Sequence, residues 1–470
     1  MARDSGLSRK ILAAGYSRFM AAAKRTIKSE KQEKAITCVR AGREFGHVGK
    51  TLSIRKSTVA AWWDDFLNAG RDGLFSATGR LIVIGGGSAT GKTTLLNLMR
   101  KSRDVNVRRV RKYTTRAARS DEDDIVSMEE ATDADHDYVY AWNNNRYGIK
   151  ARDIRDIISS GETGAVIITP IATVREIKRH FGGLCLYFYM FRGEGFAREQ
   201  QMRIRQLVEG ADRDKLLELL QELDTRAGDL RSIWRNYIEN IAFIDHVILN
   251  ITSEKDALTQ VRNIMRAHKG MGPRCRKCHV GKSTFGRRAT VFLVAGGPGS
   301  GKHTLVEAVK TLGRRRIAVV EKKTEREKQA DDGDEIKCIE RIDEEECSVT
   351  YRYNNRRYGV NTQEMWTTVE AGKAQLLITN MNVMPFFIRM FGPLAVCLYL
   401  FRTRNPQDIY ENAMTKGMTD SAAKYRAKRA SDVHQEYIRN VALIEHVLLN
   451  TGNRDDLASQ MLNLVDHYDS

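Results

Sequence analysis

The sequence predicts an α/β fold with two tandem P-loop domains on mainly parallel sheets, preceded by a small all-α domain. Three observations support this. The chain has 470 residues, enough for two to four domains at roughly 100–200 residues each. Apolar, β-branched runs alternate with helical stretches, which favours parallel strands covered by helices. Four sequence blocks also recur in the same order in the two halves.

The repeated blocks lie at nearly constant offsets. LIVIGGGSATGKTT (81–94) matches VFLVAGGPGSGKHT (291–304), and WNNNRYG (142–148) matches YNNRRYG (353–359). FGGLCLYFYMFR (181–192) matches FGPLAVCLYLFR (391–402), and YIENIAFIDHVILN (237–250) matches YIRNVALIEHVLLN (437–450). Four blocks in one order indicate a duplicated domain. The last block is offset by 200 positions instead of 210, which places ten extra residues in the first copy.

These blocks give the predicted domain boundaries. We expect a basic N-terminal helix or tail (1–27), a helix-turn-helix module (28–79), a first P-loop domain (80–266), a basic linker (267–289) and a second, partly degenerate P-loop domain (290–470). The predicted buried strands are Leu81–Ile84, Ala165–Thr169, Leu186–Met190, Val291–Ala295, Leu376–Thr379 and Val396–Leu400.

Charge is concentrated at the N-terminus. The chain has 77 Lys and Arg against 59 Asp and Glu, a net charge of +18. Residues 1–79 hold 15 basic and 7 acidic residues, an excess that suits a polyanionic partner such as DNA; a merely soluble basic surface is the alternative.

The apolar runs are too short to span a bilayer, and the chain has seven cysteines in 470 residues. Both features predict a cytoplasmic protein without membrane contact. A transit peptide in residues 1–27 stays open.

The first copy carries the complete motif G-x-x-x-x-G-K-[ST] after a predicted strand. Glycine backbone N–H groups and the following helix N-terminus face a bound phosphate. The lysine reaches the β- and γ-phosphates, and the next hydroxyl binds Mg²⁺. We therefore predict Mg²⁺ with ATP or GTP at this loop, with Thr93 as the metal ligand. The predicted nucleotide-binding residues are Gly86, Gly87, Ser88, Ala89, Thr90, Gly91, Lys92, Thr93 and Thr94.

The second copy keeps only part of this motif. Gly296, Gly301, Lys302 and Thr304 remain as nucleotide-binding candidates, but His303 stands where the metal-binding hydroxyl belongs. Imidazole is a poor ligand for Mg²⁺, which prefers oxygen donors. Phosphate binding without metal-assisted transfer and a decayed, structural copy are both compatible with this sequence.

A family resemblance begins after the first phosphate loop. KYTTRAARSDEDD (112–124) contains T-T-R-x-x-R and an acidic stretch, and Tyr-Gly, a strand and an arginine-rich segment follow. Over 80–266 and 290–470 this order resembles guanylate kinase and its relative ribose 1,5-bisphosphate phosphokinase. The resemblance implies that Arg116 and Arg119 clamp the phosphate of an acceptor, helped by the hydroxyl of Tyr147. Guanidinium groups suit this role because they bind phosphate bidentately.

The resemblance also implies arginines in a lid over the nucleotide. Arg203, Arg205 and Arg226 are candidates in the first copy, and Arg426 and Arg429 in the second. The predicted catalytic set is Lys92, Arg116, Arg119 and Arg226. In the second copy Arg326 and Tyr358 correspond to Arg116 and Tyr147, whereas Gln329 replaces Arg119.

Two departures from guanylate kinases concern the acceptor base. Those enzymes follow Tyr-Gly with Thr or Ser and carry acidic residues after the next strand. Ile149 and Val360 follow Tyr-Gly here, and Pro170 and Asn380 stand about where an acid belongs. The acceptor can be a phosphosugar, another nucleotide or nothing.

Residues 35–74 have three short apolar helical faces. The segment around Gly49, Ile54 and Arg55–Val59 resembles the helix-turn-helix of transposases and homeodomain-like regulators. The resemblance implies double-stranded DNA as partner, because the last helix of such a module enters the major groove. A three-helix protein-binding module is the alternative. The predicted DNA-contacting residues are Arg55, Lys56, Ser57, Thr58 and Ala61.

The predicted linker contains Cys275-Arg-Lys-Cys278-His279. This is half of a zinc site, but only His268 lies nearby as a further ligand. Free thiols in a basic linker are the favoured interpretation.

Together these features predict an ATP-dependent phosphotransferase for a nucleotide or phosphosugar, working through the first copy and coupled to a DNA-binding module. The alternative is a non-catalytic, nucleotide-sensing DNA-binding regulator or a mobile-element protein. The intact Arg116, Arg119 and Tyr147 favour the enzyme; the lost acceptor acids and the N-terminal DNA-binding module favour the alternative.

The DNA hypothesis is testable with residues 1–79. This fragment should bind duplex DNA with an affinity that falls steeply with salt, because phosphate contacts by Lys and Arg release counterions. Arg55→Ala combined with Lys56→Ala should weaken binding and reduce sequence preference, measured by fluorescence anisotropy. Trp62→Ala should instead unfold the fragment. A folded fragment without salt-dependent affinity for any duplex would identify a protein-interaction module.

Overall fold

The structure is a computed structural model that describes most of the chain. The described residues are 30–40, 45–55, 58–59, 62, 79–87, 90–116, 125–128, 135–142, 144–193, 232–270, 290–313, 316–328, 333, 335–353, 356–402, 406–415, 417–451 and 453–469. No helix within these ranges has the length and apolar character needed to cross a membrane.

Two five-stranded sheets with the same order of strands form the centre of the fold. The first has the order β2-β7-β1-β8-β9 and the second β11-β16-β10-β17-β18. The pairs β1–β7, β2–β7 and β8–β9 of the first sheet and all four pairs of the second sheet are parallel. The strands of the first sheet are β1 (Leu81–Gly86), β2 (Val107–Arg109), β7 (Thr163–Ile167), β8 (Cys185–Phe191) and β9 (His246–Leu249). Those of the second are β10 (Val291–Gly296), β11 (Ile317–Val319), β16 (Ala374–Ile378), β17 (Ala395–Phe401) and β18 (His446–Leu449).

Two four-stranded sheets accompany the large ones and again match in order, β4-β3-β6-β5 and β13-β12-β15-β14. Each combines one parallel pair with two antiparallel pairs. The strands are β3 (Lys112–Thr114), β4 (Ile125–Ser127), β5 (Tyr138–Trp142), β6 (Asn145–Ile149), β12 (Lys322–Thr324), β13 (Ile336–Cys338), β14 (Val349–Tyr353) and β15 (Arg356–Val360).

Helices connect the strands, as expected for parallel pairs, which need long crossovers. Their bounds are Glu30–Arg40, Phe45–Leu52, Lys92–Lys101, Ala151–Ser159, Ile171–Phe181, 232–239, Glu254–Gly270, Lys302–Gly313, Thr362–Glu370, Met384–Phe391, Pro406–Thr415, Asp420–Asn440 and Arg454–Asp469. Within the described ranges, short 3₁₀ turns lie at Gly182–Leu184, Ile241–Phe243, Gly392–Leu394 and Val441–Leu443.

The α/β fold class is confirmed, and the predicted strands differ from the observed ones only at their ends. Val291–Gly296 and Ala395–Phe401 are buried over almost their whole length, which explains their continuous apolar character. Thr379 falls just outside β16, and Ile168 and Thr169 fall outside β7. The N–H groups of Ile168 and Thr379 still donate to the carbonyl oxygens of Ile84 and Val294 on the neighbouring strands, so the disagreement concerns only where each strand is taken to end.

The chain divides into two compact units, one comprising residues 1–85, 93–187 and 264–280 and the other 86–92, 188–263 and 281–470. In the first unit, the N-terminal helices Glu30–Arg40 and Phe45–Leu52 enclose a small core. Ala35, Val48 and Val59 are buried there, with Leu52, Ile54 and Trp62 packed against them. The predicted domain boundaries stay predictions.

The second unit contains reciprocal hydrogen bonds between equivalent positions of the repeated blocks. Tyr237 donates its hydroxyl hydrogen bond to the Val447 carbonyl oxygen, 2.5 Å away, and Tyr437 donates to the Val247 carbonyl oxygen at 2.8 Å. The side-chain amides of Asn263 and Asn463 donate in the same reciprocal way, to the carbonyl oxygens of Ile438 and Ile238. Both tyrosines are fully buried.

These buried hydrogen bonds lead to a prediction about the free energy of unfolding. Tyr437→Phe removes the buried hydroxyl that donates to the Val247 carbonyl oxygen, and loss of one partner of a buried hydrogen bond costs about 1–3 kcal/mol. We expect a decrease of that size in the free energy of unfolding, measured by urea titration of the full chain. Tyr425→Phe is the matched control, since Tyr425 is 55% exposed. Equal stability of the two variants would contradict a role for the buried bond.

Candidate functional site

The first phosphate loop joins β1 to the helix Lys92–Lys101, as the motif predicts. Gly86 and Gly91 have φ angles of +124° and +94°, which favour glycine. The Lys92 ammonium donates to the carbonyl oxygens of Gly86, at 3.1 Å, and Gly87. Thr90 closes the loop by donating its hydroxyl to the Gly87 carbonyl at 2.9 Å. Thr93 lies exposed in the first turn of the helix, where its hydroxyl and the helix N-terminus can face a phosphate.

An asparagine at the end of the last strand supports each loop, and sequence analysis missed it. Asn250 Nδ2 donates to the Thr90 carbonyl at 2.9 Å, and Asn450 Nδ2 donates to the Ser300 carbonyl at 2.8 Å. A Cβ at Gly91 would lie 2.6 Å from Asn250 Nδ2, so the close approach requires glycine. The available signal was that both matching blocks, 237–250 and 437–450, end in Asn.

The second phosphate loop repeats the lysine contacts of the first, with different chemistry after the lysine. Lys302 donates to the carbonyl oxygens of Gly296 and Gly297, at 2.9 and 2.8 Å. Gly301 has a φ of +94°. His303 occupies the exposed position that Thr93 has in the first loop, and Thr304 is partly buried behind it. The loop therefore keeps the lysine–carbonyl contacts of the first loop and has an imidazole where the first loop has the Thr93 hydroxyl.

The helix Asp420–Asn440 lies over the second loop. A Cβ at Gly297 would be in van der Waals contact with Val433 and Ala430, at 3.8 and 3.9 Å. Arg429 on this helix donates to the Tyr353 hydroxyl at 3.3 Å and forms a 2.9 Å ion pair with Glu436. Arg426 contacts Met418 Sδ at 3.6 Å. Of the two lid candidates of this copy, Arg429 is thus held by a carboxylate and a phenol.

The two small sheets present equivalent tyrosines. Tyr147 pairs with Thr114 and stacks on Tyr140 at 5.1 Å between ring centroids. Tyr358 pairs with Thr324 and stacks on Tyr351 at 5.5 Å. The Lys112 and Lys322 ammonium groups lie 5.4 and 5.7 Å from the ring centres of Tyr147 and Tyr358. Such placement of a cation over a ring is favourable.

The buried rings of these stacks remain neutral. Burial is the main cause that raises the pKa of Tyr140 and of Tyr351 well above the ordinary value for tyrosine. Their neighbours Tyr147 and Tyr358 therefore stack on uncharged phenols. A nearby lysine and a neutral aromatic stack form an environment compatible with a phosphate group.

Arg116 and Arg326 follow the first strands of the small sheets. The Arg116 N–H donates to Thr114 Oγ1 at 3.2 Å, and Ser127 Oγ donates to the Arg116 carbonyl at 3.0 Å. The Arg326 guanidinium donates to the Glu327 carbonyl at 2.9 Å. The backbone thus holds both arginines beside the sheet that carries the tyrosine of the same copy.

The two positions that distinguish this chain from guanylate kinases have structural roles. Ile149 and Val360 are fully buried, so neither side chain lies at a surface. Pro170 is the N-cap residue of the helix Ile171–Phe181 and makes no side-chain capping bond. Asn380 Oδ1 accepts a hydrogen bond from the Val383 N–H at 3.2 Å. None of these residues provides an acidic contact.

In the N-terminal segment, the N–H groups of Thr58 and Val59 donate to the Arg55 carbonyl. Arg55 therefore stands at the beginning of this turn, and Thr58 lies inside it. The remaining predicted site residues lie outside the described part of the chain: Lys56, Ser57, Ala61, Ser88, Ala89, Arg119, Arg203, Arg205, Arg226 and Gln329, together with Cys275, Cys278 and His279.

Two solved structures are similar to part of the chain. Guanylate kinase from Anaplasma phagocytophilum shows 15% sequence identity and a TM-score of 0.29, covering 40% of this chain and 89% of its own. Dephospho-CoA kinase from Campylobacter jejuni shows 12% identity and a TM-score of 0.20, covering 38% and 98%. The sequence matches no protein-family model and no curated protein. The α/β assignment depends on the sheets and loops described above.

The acceptor positions generate a prediction about GMP. Buried Ile149 and the capping residue Pro170 leave the polar edge of guanine without the partners that the family resemblance implies. Each unpaired polar group costs about 1–3 kcal/mol. We expect a lower kcat/KM for GMP than for AMP or ribose phosphates in a coupled ADP-release assay. A clear preference for GMP would show that other residues recognise guanine.

Proposed function

We propose that this protein is an ATP-dependent phosphotransferase whose first phosphate loop transfers phosphate to a nucleotide or phosphosugar. One observation carries the proposal: the complete loop 86–93 follows a buried strand, and its lysine is folded onto the Gly86 and Gly87 carbonyl oxygens. Thr93 adds an exposed hydroxyl directly after that lysine. In sequence and local geometry this is a phosphate cradle with a metal-binding hydroxyl.

Phosphoryl transfer depends mainly on positioning and on neutralising charge. Lys92 would exchange its carbonyl partners for the β- and γ-phosphates, and the N–H groups of the loop would bind the remaining oxygens. Thr93 fits Mg²⁺ because that ion prefers hard oxygen donors. Mg²⁺ bound with ATP would reduce the repulsion between the phosphates. Arg116 and Tyr147 would hold the acceptor phosphate, with Arg119 and Arg226 as further cations.

We propose further that the chain arose by duplication of one domain. The supporting observations are the matching orders of strands in both pairs of sheets and the equivalent asparagines at the two loops. The reciprocal tyrosine bonds support it as well, because Tyr237 and Tyr437 lie 200 positions apart, and so do Val247 and Val447. In this proposal the second copy has lost Mg²⁺-dependent transfer because His303 replaces the hydroxyl.

A second candidate function is a nucleotide-sensing DNA-binding regulator. It is favoured by the small helical core of the N-terminal segment and by the absence of acidic contacts at Pro170 and Asn380. In that case ATP binding would change the affinity for duplex DNA, and no acceptor would be phosphorylated.

Lysine variants test the proposal. Lys92→Ala should lower Mg²⁺- and ATP-dependent transfer by about 100-fold or more, because a charge that stabilises the transition state is lost. Lys302→Ala should change turnover little. The assay uses the full chain, labelled ATP and a panel of nucleoside and sugar phosphates.

Three outcomes separate the candidates. Loss of phosphate transfer in Lys92→Ala but not in Lys302→Ala supports transfer by the first copy. Equal loss in both variants would show that the second loop is also active. No transfer to any acceptor, with ATP changing DNA affinity, would favour the regulator.

A further inference from the structure

An acidic side chain lies beside the histidine of the second phosphate loop. A Cβ placed at Gly333 would collide with Glu335 Oε2 and would lie 2.7 Å from His303 Nδ1. The two side-chain atoms therefore border one small space that only a glycine at position 333 leaves open. Nearby, the Lys302 ammonium donates to the carbonyl oxygens of Gly296 and Gly297.

One carboxylate oxygen of Glu335 is buried without a hydrogen-bond partner. The residue is 6% exposed, and the oxygen is Oε2. The backbone around it is fixed, since the Lys322 N–H donates to the Glu335 carbonyl at 2.8 Å. Buried carboxylates are normally paired or bound to a metal, because an isolated buried charge is very costly. The orphaned oxygen faces the space that it shares with the imidazole of His303.

We propose that His303 and Glu335 bind a divalent transition metal ion of the Zn²⁺ class. An imidazole nitrogen and a carboxylate oxygen are usual zinc ligands at roughly 2.0–2.2 Å, whereas imidazole does not suit Mg²⁺. The described residues contain no group of three or more His, Cys, Asp and Glu able to hold a metal. Among the described residues, His303 and Glu335 are thus the two ligands at this site, and ligands from outside the pair can take the other positions.

Phosphate oxygens are suitable ligands for the other positions. His303 stands in the first helical turn after the loop 296–301, where a nucleotide phosphate would lie. The two copies would then differ in metal: a hydroxyl at Thr93 for Mg²⁺, and the His303–Glu335 pair for Zn²⁺ or Co²⁺. Ligation of the metal by a nucleotide phosphate rests on the proposed nucleotide binding by the loops. Metal binding by His303 and Glu335 does not depend on that proposal.

The metal site is tested first without nucleotide. The full chain carries Cys275→Ser and Cys278→Ser, which removes the two thiols of the other candidate zinc site. It is titrated with Zn²⁺ by calorimetry and with Co²⁺ by visible absorption. We expect one site whose affinity falls at least ~10-fold in His303→Ala and in Glu335→Gln. His467→Ala, an exposed histidine on the last helix, is the matched control and should bind normally.

Circular dichroism confirms that each variant is folded. Unchanged Zn²⁺ affinity in both variants would overturn the proposal, and so would a loss confined to one of them, because the site needs both ligands.

A second titration tests the phosphate step separately. In a Lys92→Ala background, which disables the first loop, binding of a non-hydrolysable ATP analogue should depend on Zn²⁺ or Co²⁺. His303→Thr should shift this dependence to Mg²⁺. If Zn²⁺ binds but the analogue binds with neither metal, the metal site stands and nucleotide binding by the second loop is refuted.

Discussion

The contact between a strand-end asparagine and the last glycine of each phosphate loop is the constraint on which the rest of the site depends. Asn250 and Asn450 donate to the loop carbonyls of Thr90 and Ser300. Gly91 and Gly301, the last glycines of the two loops, have positive φ angles and no room for a Cβ. The bond fixes the loop against the C-terminal end of the sheet, where the helix after the loop begins. The direction of that helix, and hence of its N–H groups, follows from this anchoring.

Sequence analysis could predict features that depend on local pattern. Strands such as Val291–Gly296 are continuous apolar runs because parallel strands are covered on both faces. The phosphate loops follow from glycine and lysine spacing. The loop-supporting Asn250 could not be predicted this way, because its partner Thr90 lies 160 positions away. The buried carboxylate oxygen of Glu335 could not be predicted for the same reason. The sequence shows that residue 335 is acidic, but its burial beside His303 depends on tertiary packing.

The chemical difference between the two loops is confined to very few side chains. The backbone angles at Gly91 and Gly301 are the same, both lysines bind the same two carbonyl positions, and both small sheets carry a tyrosine stack. Thr93 and His303 differ at the exposed position after the lysine, and Thr90, whose hydroxyl donates to the Gly87 carbonyl, corresponds to Ser300, whose hydroxyl has no hydrogen-bond partner. In the proposed function, the shared contacts keep the phosphate cradle while the change from Thr93 to His303 alters its metal preference.

The reciprocal bonds of Tyr237 and Tyr437 have a consequence for how the proposed duplicate can evolve. In a homodimer every substitution at the interface appears twice, whereas in one fused chain it appears once. The neighbouring positions show the result: Trp234 donates to Asp456 at 2.8 Å, but the equivalent residue is His434, whose pKa is lowered mainly by burial and raised in part by Asp256. In the proposed duplicate each half can change alone, so one half carries a buried imidazole where the other carries the Trp234 hydrogen bond.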